Sequence, residues 1–113
     1  MRKLQILDVN YNPKVTTLPP ALNDTLLKLY AEGKSGISDA SLTNLRKLEI
    51  LGVANNPNVT TLPAALNDTL LKLNADWDSG ISDEAIASLT KLQILNVRDN
   101  PNVKRFQSFN KNN

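Results

Sequence analysis

The amino-acid sequence predicts an α/β fold in which five short strands build one parallel sheet. Three observations lead to this prediction. They are a repeat of 22 residues, an alternation of apolar and other residues where each repeat starts, and helix-start signals later in some repeats. A fixed period of about 20 to 50 residues is the sequence signature of a stacked-repeat architecture.

The repeat is visible in three near-copies of one hexapeptide. The segment LQILDV at 4–9 returns as LEILGV at 48–53 and as LQILNV at 92–97, a step of 44 residues each time. Each 44-residue unit divides into halves, because LLKLYA at 26–31 and LLKLNA at 70–75 start 22 residues after the first two of these segments. The chain therefore contains five repeats, numbered 1 to 5, which start at Leu4, Leu26, Leu48, Leu70 and Leu92.

The odd repeats carry a recognisable motif. Repeat 1 supplies Leu4, Leu7, Val9 and Asn12, and repeats 3 and 5 supply the same residue types at the same spacing. This pattern, L-x-x-L-x-L-x-x-N, resembles the leucine-rich-repeat family over nearly the whole chain. The resemblance implies a right-handed leucine-rich-repeat solenoid with a five-stranded parallel sheet on the concave face and short helices or turns on the convex face. It also implies a single domain over 1–113 that ends in a polar tail at 107–113.

The even repeats depart from the motif at its asparagine. Lys34 and Asp78 stand at that position. The ladder of stacked asparagines that the family implies is therefore interrupted, unless Ser35 and Ser79 substitute for it. The tails of the even repeats look like the subtype in which a short helix follows each strand.

Elementary physical chemistry supports the same elements. Apolar residues at alternate positions place their side chains on one face of a strand, and the Asn-Pro pairs of the odd repeats end the strands because proline removes a backbone donor. Ser38-Asp39 and Ser82-Asp83 are helix-start signals, since they supply capping oxygens and negative charge. The proline-rich tails of the odd repeats predict no more than about one helical turn. A single repeat cannot bury its leucines alone, so the five are expected to stack.

Composition limits the classes of function. The chain has no cysteine and no histidine, which removes thiol chemistry and the usual neutral-pH base and metal ligand. The net charge is only +2, and basic residues are enriched only at the two ends of the sequence, so no nucleic-acid partner is predicted. No apolar run is long enough to predict membrane insertion, and the first residues lack the core of a signal peptide. A cytoplasmic location or delivery by a non-classical route is expected.

Four positions in each repeat are predicted to face outward from the sheet. The third positions are Ile6, Lys28, Ile50, Lys72 and Ile94, and the fifth are Asp8, Tyr30, Gly52, Asn74 and Asn96. The seventh positions are Asn10, Glu32, Ala54, Asp76 and Arg98, and the eighth are Tyr11, Gly33, Asn55, Trp77 and Asp99.

A comparison of the two 44-residue units points to this outward face. Residues 4–47 and 48–91 are identical at 28 positions and differ at 16, while the core leucines barely change. Six of the eight outward pairs differ: Asp8/Gly52, Asn10/Ala54, Tyr11/Asn55, Tyr30/Asn74, Glu32/Asp76 and Gly33/Trp77. A duplicated scaffold that keeps its core and changes its exposed face is typical of a face that binds something.

The residue types on the face favour a protein partner. Tyr11, Tyr30 and Trp77 are the only Tyr and Trp residues of the chain, and such side chains most often anchor interfaces. The isoleucine row adds apolar area. At the outward positions acidic residues outnumber basic ones, so we expect a partner with a basic or mixed patch. The predicted contact residues are Ile6, Asp8, Asn10, Tyr11, Lys28, Tyr30, Glu32, Ile50, Lys72, Asn74, Asp76, Trp77, Ile94, Asn96 and Arg98.

Structural alternatives exist for several of these residues. Trp77 folding onto a neighbouring loop, Tyr11 covering the open first repeat, and the isoleucines serving β-propensity alone are all compatible with the sequence. Asp76 with Asp78 could be read as a metal pair, but no third ligand is evident. Ser35 and Ser79 have no histidine to activate them as nucleophiles.

The ends of the chain leave another question open. Stacked repeats usually close with polar capping turns, and Phe106 and Phe109 are candidates to cover the last repeat. Two readings remain: the chain is part of a longer array, or its ends are protected by self-association or by the partner.

The sequence therefore predicts a protein-binding module that is not an enzyme and needs no cofactor. A sharper hypothesis is an inhibitor or regulator that occludes a partner's active site, as leucine-rich-repeat ribonuclease inhibitors do. The chain also loosely resembles small leucine-rich-repeat effectors of intracellular bacterial pathogens, which act in the host cytosol. The alternatives are a segment of a secreted or surface array used in adhesion, similar to internalins, and the repeat domain of an enzyme such as a ubiquitin ligase.

Overall fold

A computed structural model describes residues 4–104, and the predicted capping residues Phe106 and Phe109 and the tail at 107–113 lie outside them. Each strand has three residues. The strands are β1 (Ile6–Asp8), β2 (Lys28–Tyr30), β3 (Ile50–Gly52), β4 (Lys72–Asn74) and β5 (Ile94–Asn96). The helices are α1 (Asp39–Leu42) and α2 (Asp83–Ala87), with two 3₁₀ helices at Pro20–Leu22 and Ala64–Leu66.

The five strands form one parallel sheet in chain order, β1-β2-β3-β4-β5. Each residue pairs with the residue 22 positions further along the chain, so the register follows the sequence repeat without a slip. Two of the rows across the sheet are Leu7-Leu29-Leu51-Leu73-Leu95 and Ile6-Lys28-Ile50-Lys72-Ile94. The prediction of an α/β fold with a five-stranded parallel sheet is confirmed.

The core lies on the leucine face of the sheet. Leu29, Leu51, Leu73 and Leu95 are fully buried there, together with the leucines that open repeats 2, 3 and 4. Leu42 of α1 and Ile86 of α2 belong to the same buried cluster, so the tails of the even repeats close the core. Burial of one such side chain contributes about 1.5 to 3 kcal/mol.

Both even-repeat helices begin where the sequence predicts, although the Ser82 side chain makes no capping hydrogen bond to α2. Ser38 and Ser82 precede α1 and α2 in extended conformation, and Asp39 or Asp83 lies in the first turn. The Asp39 carboxylate also reaches the next odd repeat, where it accepts hydrogen bonds from the Thr60 N–H at 2.7 Å and the Thr61 N–H at 3.0 Å. Burial raises the pKa of Asp39, but the hydrogen bonds from the Thr60 hydroxyl and from the two N–H groups outweigh it, so the pKa lies below its ordinary value. The helix start therefore also ties neighbouring repeats together.

Odd repeats dock onto the preceding even repeat through a buried asparagine. The Asn56 side-chain Nδ2 donates to the carbonyls of Ala31, at 2.8 Å, and Ile37, at 3.1 Å. Asn100 makes the same pair of bonds, with the same lengths, to carbonyls of repeat 4. Each of the two amides satisfies two buried backbone acceptors that belong to another repeat.

Even repeats dock onto the preceding odd repeat through a glycine. A Cβ atom on Gly36 would lie 2.5 Å from the Pro13 carbonyl oxygen and 2.7 Å from that of Val15. Gly80 stands in the same relation to Pro57 and Val59, at 2.6 and 2.9 Å. Only glycine allows the two backbones to approach this closely.

Ser35 and Ser79 do not replace the missing asparagines. Both are buried, but their hydroxyls accept hydrogen bonds from the N–H groups of Ile37 and Ile81 within their own repeats. They therefore stabilise a local bend and do not bond to the preceding repeat. Within residues 4–104, only Asn56 of repeat 3 and Asn100 of repeat 5 make the asparagine bonds between repeats, so the ladder is interrupted at the even repeats.

Within residues 4–104, no helix has the length and apolar character needed to cross a bilayer.

Candidate protein-binding face

The sheet face opposite the core carries the third and fifth positions of each repeat. In the third row, Ile6 and Ile94 are exposed at the two sheet edges, and Lys28, Ile50 and Lys72 are half-buried between them. Isoleucines and lysines alternate across the row because the odd and even repeats differ there. The row offers apolar contacts flanked by positive charges.

The fifth row runs Asp8-Tyr30-Gly52-Asn74-Asn96 across the same face. Gly52 forms a low point in its centre. A Cβ at Gly52 would lie 2.7 Å from Glu32 Oε2 and 3.2 Å from Tyr30 Cδ1, so both side chains lean over the glycine. The Tyr30 ring is therefore positioned above the middle strand and remains half-exposed.

The seventh position differs from the expectation of an outward, exposed row. The side-chain oxygen of Asn10 accepts a hydrogen bond from the Glu32 N–H, and Asp76 Oδ1 accepts one from the Arg98 N–H, both at 2.7 Å. Asp76 is only 6 % exposed, and Ala54 is also buried. These side chains extend the pairing of the sheet beyond the three-residue strands, so Arg98 alone in this row is fully exposed.

The eighth position has a backbone conformation that the sequence did not predict. Tyr11, Asn55, Trp77 and Asp99 have φ between 56° and 60°, and Gly33 has φ of 70°. The chain reverses here: the N–H of Tyr11 still pairs with the next repeat, while the N–H of Asn12 turns back to Val9. A four-residue turn whose third residue has positive φ favours glycine or asparagine.

Tyr11 and Trp77 are therefore unfavourable residues for their backbone. The left-handed region costs a residue with a bulky side chain about 1 to 2 kcal/mol. Neither side chain is hidden in the core, since Tyr11 is 74 % exposed and Trp77 is 42 % exposed. Strained backbone of this kind clusters at functional sites. The observation argues against Trp77 as an ordinary core residue.

Tyr11 lies at the rim of a groove beside the strand exits. Its ring packs on Gly33, where a Cβ would come within 2.3 Å of Tyr11 Cε1. The groove measures about 540 Å³ and is lined by Tyr11, Pro13, Gly33, Lys34, Asn55 and Asp78. The exposed face thus consists of a shallow sheet surface and an adjoining groove with an aromatic wall.

Negative charge collects near the centre of the face. Burial raises the pKa of Glu32, and Asp76 and Asp8 raise it further, although the hydrogen bond from Asn74 Nδ2 to Glu32 Oε2, at 3.0 Å, opposes this. The Oδ1 atom of Asn74 is buried and has no hydrogen-bond partner within the described chain. The surroundings of Glu32 therefore disfavour the ionised form of its carboxylate.

We expect Glu32→Gln to raise the free energy of unfolding at pH 7. A group whose folded pKa is raised contributes stability below its unfolded pKa and loses it as pH rises through the folded pKa. The native chain therefore carries a penalty at neutral pH that the amide avoids, and the two proteins converge as pH falls below the ordinary glutamate value of 4.5. Urea unfolding of both proteins between pH 3.5 and 8 measures the difference. A gap that stays constant across this range would contradict the role of ionisation.

The predicted contact residues fall into two groups. Ile6, Asp8, Tyr11, Trp77, Ile94 and Arg98 are exposed, and Asn10, Lys28, Tyr30, Glu32, Ile50, Lys72, Asn74 and Asn96 are half-buried on the same side of the sheet. Asp76 is buried and acts within the fold. Sequence reasoning missed the groove residues Pro13, Lys34 and Asp78, although the proline after each odd strand marked where the chain leaves the sheet.

The described residues contain no group of three or more acidic, histidine or cysteine side chains placed to hold a metal ion. The face presents aromatic rings, an apolar row and charges of both signs. Comparison of the chain with protein-family models, curated proteins and solved structures finds no match.

Proposed function

We propose that this chain is a leucine-rich-repeat solenoid that binds another protein on its concave face, the outward face described above. The motif residues, the chain-order parallel sheet and the 22-residue register support the family assignment. A right-handed path with the helices on the convex side follows from that assignment. An inhibitory role, in which the chain occludes a partner's active site, is the sharper form of the proposal.

The observation that carries the proposal is the retention of Tyr11 and Trp77 on left-handed backbone. The other 44-residue unit places Asn55 and Gly33 at the equivalent positions, and these residues suit that backbone. Asn and Gly therefore suit the backbone at this position better than Tyr11 and Trp77 do, and the chain already uses them there in its other unit. Exposed aromatic side chains kept at such positions, of which Tyr11 also lines the groove, fit a role as interface anchors.

The size of the face is adequate for a specific complex. Four steps of about 4.8 Å between five strands make a sheet about 20 Å wide. With the groove and the rims added, such a face approaches the roughly 800 Å² that each partner contributes to a standard interface. The charge pattern favours a partner whose basic groups meet Glu32 and Asp8.

A repeat-swap variant tests the proposal. It combines Tyr11→Asn, Tyr30→Asn and Trp77→Gly, so that each aromatic is replaced by its own counterpart in the other unit. We expect the scaffold to fold with little change in stability, since relief of backbone strain offsets lost contacts. We expect the affinity for the partner to fall at least tenfold, because such anchors contribute about 2 kcal/mol or more each.

The measurement is a pull-down with quantitative mass spectrometry, followed by calorimetry with the purified prey. A matched control carries Thr43→Ala and Lys47→Ala, two exposed positions in the tail of repeat 2. A prey that the native chain and the control capture, and the repeat-swap variant does not, supports the proposal. A prey retained with equal affinity by the folded repeat-swap variant contradicts it.

A further inference from the structure

Repeat 1 presents to solvent the surface by which repeats 3 and 5 dock onto even repeats. We propose that this surface is a docking site for one further repeat of the even type, a 22-residue segment with the chemistry of 26–47 or 70–91. The site lies at the β1 edge of the sheet and is separate from the face assigned to the protein partner, so it does not depend on the proposed function.

The first argument is the position of Asn12. It is the motif asparagine of repeat 1, and its counterparts Asn56 and Asn100 are buried and each donate to two carbonyls of an even repeat. Asn12 is exposed, and its side-chain amide makes no hydrogen bond to any residue within 4–104. The amide N–H groups that join repeats 3 and 5 to the preceding even repeat are therefore also present in Asn12, where no residue within 4–104 accepts from them.

The second argument is uncovered apolar surface. Leu4 is 44 % exposed, whereas its counterpart Leu48 is fully buried. Val15 is half-buried, whereas Val59 and Val103 are buried in repeats 3 and 5. Within the described chain, repeats 3 and 5 share one neighbour that repeat 1 lacks, which is a preceding even repeat.

The third argument is the backbone of the β1 edge. Where an even repeat precedes an odd one, the Ala31 and Gly33 N–H groups donate to carbonyls of repeat 3, and the Leu27 carbonyl accepts from two N–H groups of that repeat. The matching groups of repeat 1 are the carbonyls of Asp8 and Asn10 and the N–H groups of Gln5 and Ile6. These four groups lie on the outer edge of the sheet. They have the positions needed to pair with the backbone of an even repeat.

One edge group already has a local partner. The Asn10 N–H donates to the carboxylate of Asp8 at 3.0 Å, whereas the equivalent N–H of Arg98 donates across to Asp76 of the preceding repeat. The Asp8 carboxylate thus satisfies this donor from within repeat 1, and the carbonyls of the edge stay available.

The occupant is an even repeat and not a second folded copy. Within residues 4–104, repeats 2 and 4 each lie between two odd repeats, so neither of them has a free edge that could pair with β1 of a second copy. An odd repeat lacks the glycine-bearing tail, Ser-Gly-Ile, that supplies the Ile37 or Ile81 carbonyl to the asparagine. The Asn12 amide therefore finds its second carbonyl acceptor only in a repeat of the even type.

The test inserts a copy of residues 70–91 between Lys3 and Leu4 of the full chain and measures thermal unfolding with and without Asn12→Ala. The matched control inserts the odd segment 48–69 at the same place. We expect the even insertion to raise the unfolding midpoint by about 5 °C or more. We expect Asn12→Ala to lower it by a similar amount in that extended chain and by less than about 1 °C in the native chain.

Three results would overturn the proposal. The first is an even insertion that fails to stabilise the chain, and the second is an odd insertion that stabilises it equally. The third is an Asn12→Ala effect that is the same with and without the insertion. Sedimentation velocity on the native chain adds a check, because a dimer that Asn12→Ala dissociates would make the occupant a second copy. None of these outcomes depends on the partner of the sheet face.

Discussion

Asn56→Ala is expected to lower the free energy of unfolding by about 3 to 5 kcal/mol. The substitution removes the amide that bonds the carbonyls of Ala31 and Ile37, and it removes the Oδ1 acceptor of the Asn58 N–H. Two of these groups belong to fully buried residues, where each unmade hydrogen bond costs about 1 to 3 kcal/mol. A small cavity between repeats 2 and 3 adds to the loss.

The chain supplies a control for this prediction. Asn12 occupies the same motif position but is exposed, so Asn12→Ala should change stability by less than about 0.5 kcal/mol. Asn56→Asp sharpens the test, because a carboxylate keeps the acceptor for Asn58 but turns oxygen toward the two carbonyls. Urea unfolding at pH 7 measures all three variants. Equal losses at Asn12 and Asn56 would show that the motif asparagine acts within its own repeat.

The pairing of the sheet followed directly from the sequence. Copies of one pattern at a fixed spacing must adopt the same local structure, so equivalent residues such as Ile6, Lys28 and Ile50 meet in one row. The helix starts at Ser38 and Ser82 were also predictable, because capping is decided by a few adjacent residues. Local chemistry and periodicity were sufficient for these elements.

The left-handed backbone at position eight was not predicted. Gly33, Asn55 and Asp99 all tolerate positive φ, and their alignment in one register was the available signal. Tyr11 and Trp77 at the same register concealed it, because bulky side chains normally argue for extended backbone. In the odd repeats the conformation accompanies a local turn, in which the N–H of Asn12, Asn56 or Asn100 donates to the carbonyl of Val9, Val53 or Val97. Asp99 adopts it although no repeat follows it within residues 4–104.

The role of Asp76 was hidden for a similar reason. An alternating pattern correctly places it on the outward side, but the strands end at position five and the chain then bends. A short carboxylate just beyond the strand reaches the N–H of the next repeat, whereas the longer Arg98 extends to solvent. Whether a residue at position seven bonds within the fold or faces solvent thus depends on the length of its side chain and on where the strand ends. The alternation of apolar and polar residues shows neither.

Gly80→Ala is expected to lower the free energy of unfolding by about 2 to 3 kcal/mol. The added methyl group would lie 2.6 Å from the Pro57 carbonyl oxygen and 2.9 Å from that of Val59. Neither atom can move without shifting the backbone of repeat 3, which is held between repeats 2 and 4. Overpacking against backbone typically costs about 1 to 3 kcal/mol, and this exceeds the gain from a less flexible unfolded chain.

Two other glycines separate this effect from the general cost of a new methyl group. At Gly52 the atoms nearest to the methyl would belong to the Glu32 and Tyr30 side chains, which can move, so Gly52→Ala should stay within about 1 kcal/mol of the native chain. Gly36→Ala should fall between the two, because its neighbours Pro13 and Val15 lie in repeat 1, which within residues 4–104 packs against one other repeat and can shift more easily. Chemical denaturation of the three variants gives the order. A Gly52→Ala loss as large as that of Gly80→Ala would mean that backbone contact between repeats does not limit their stacking.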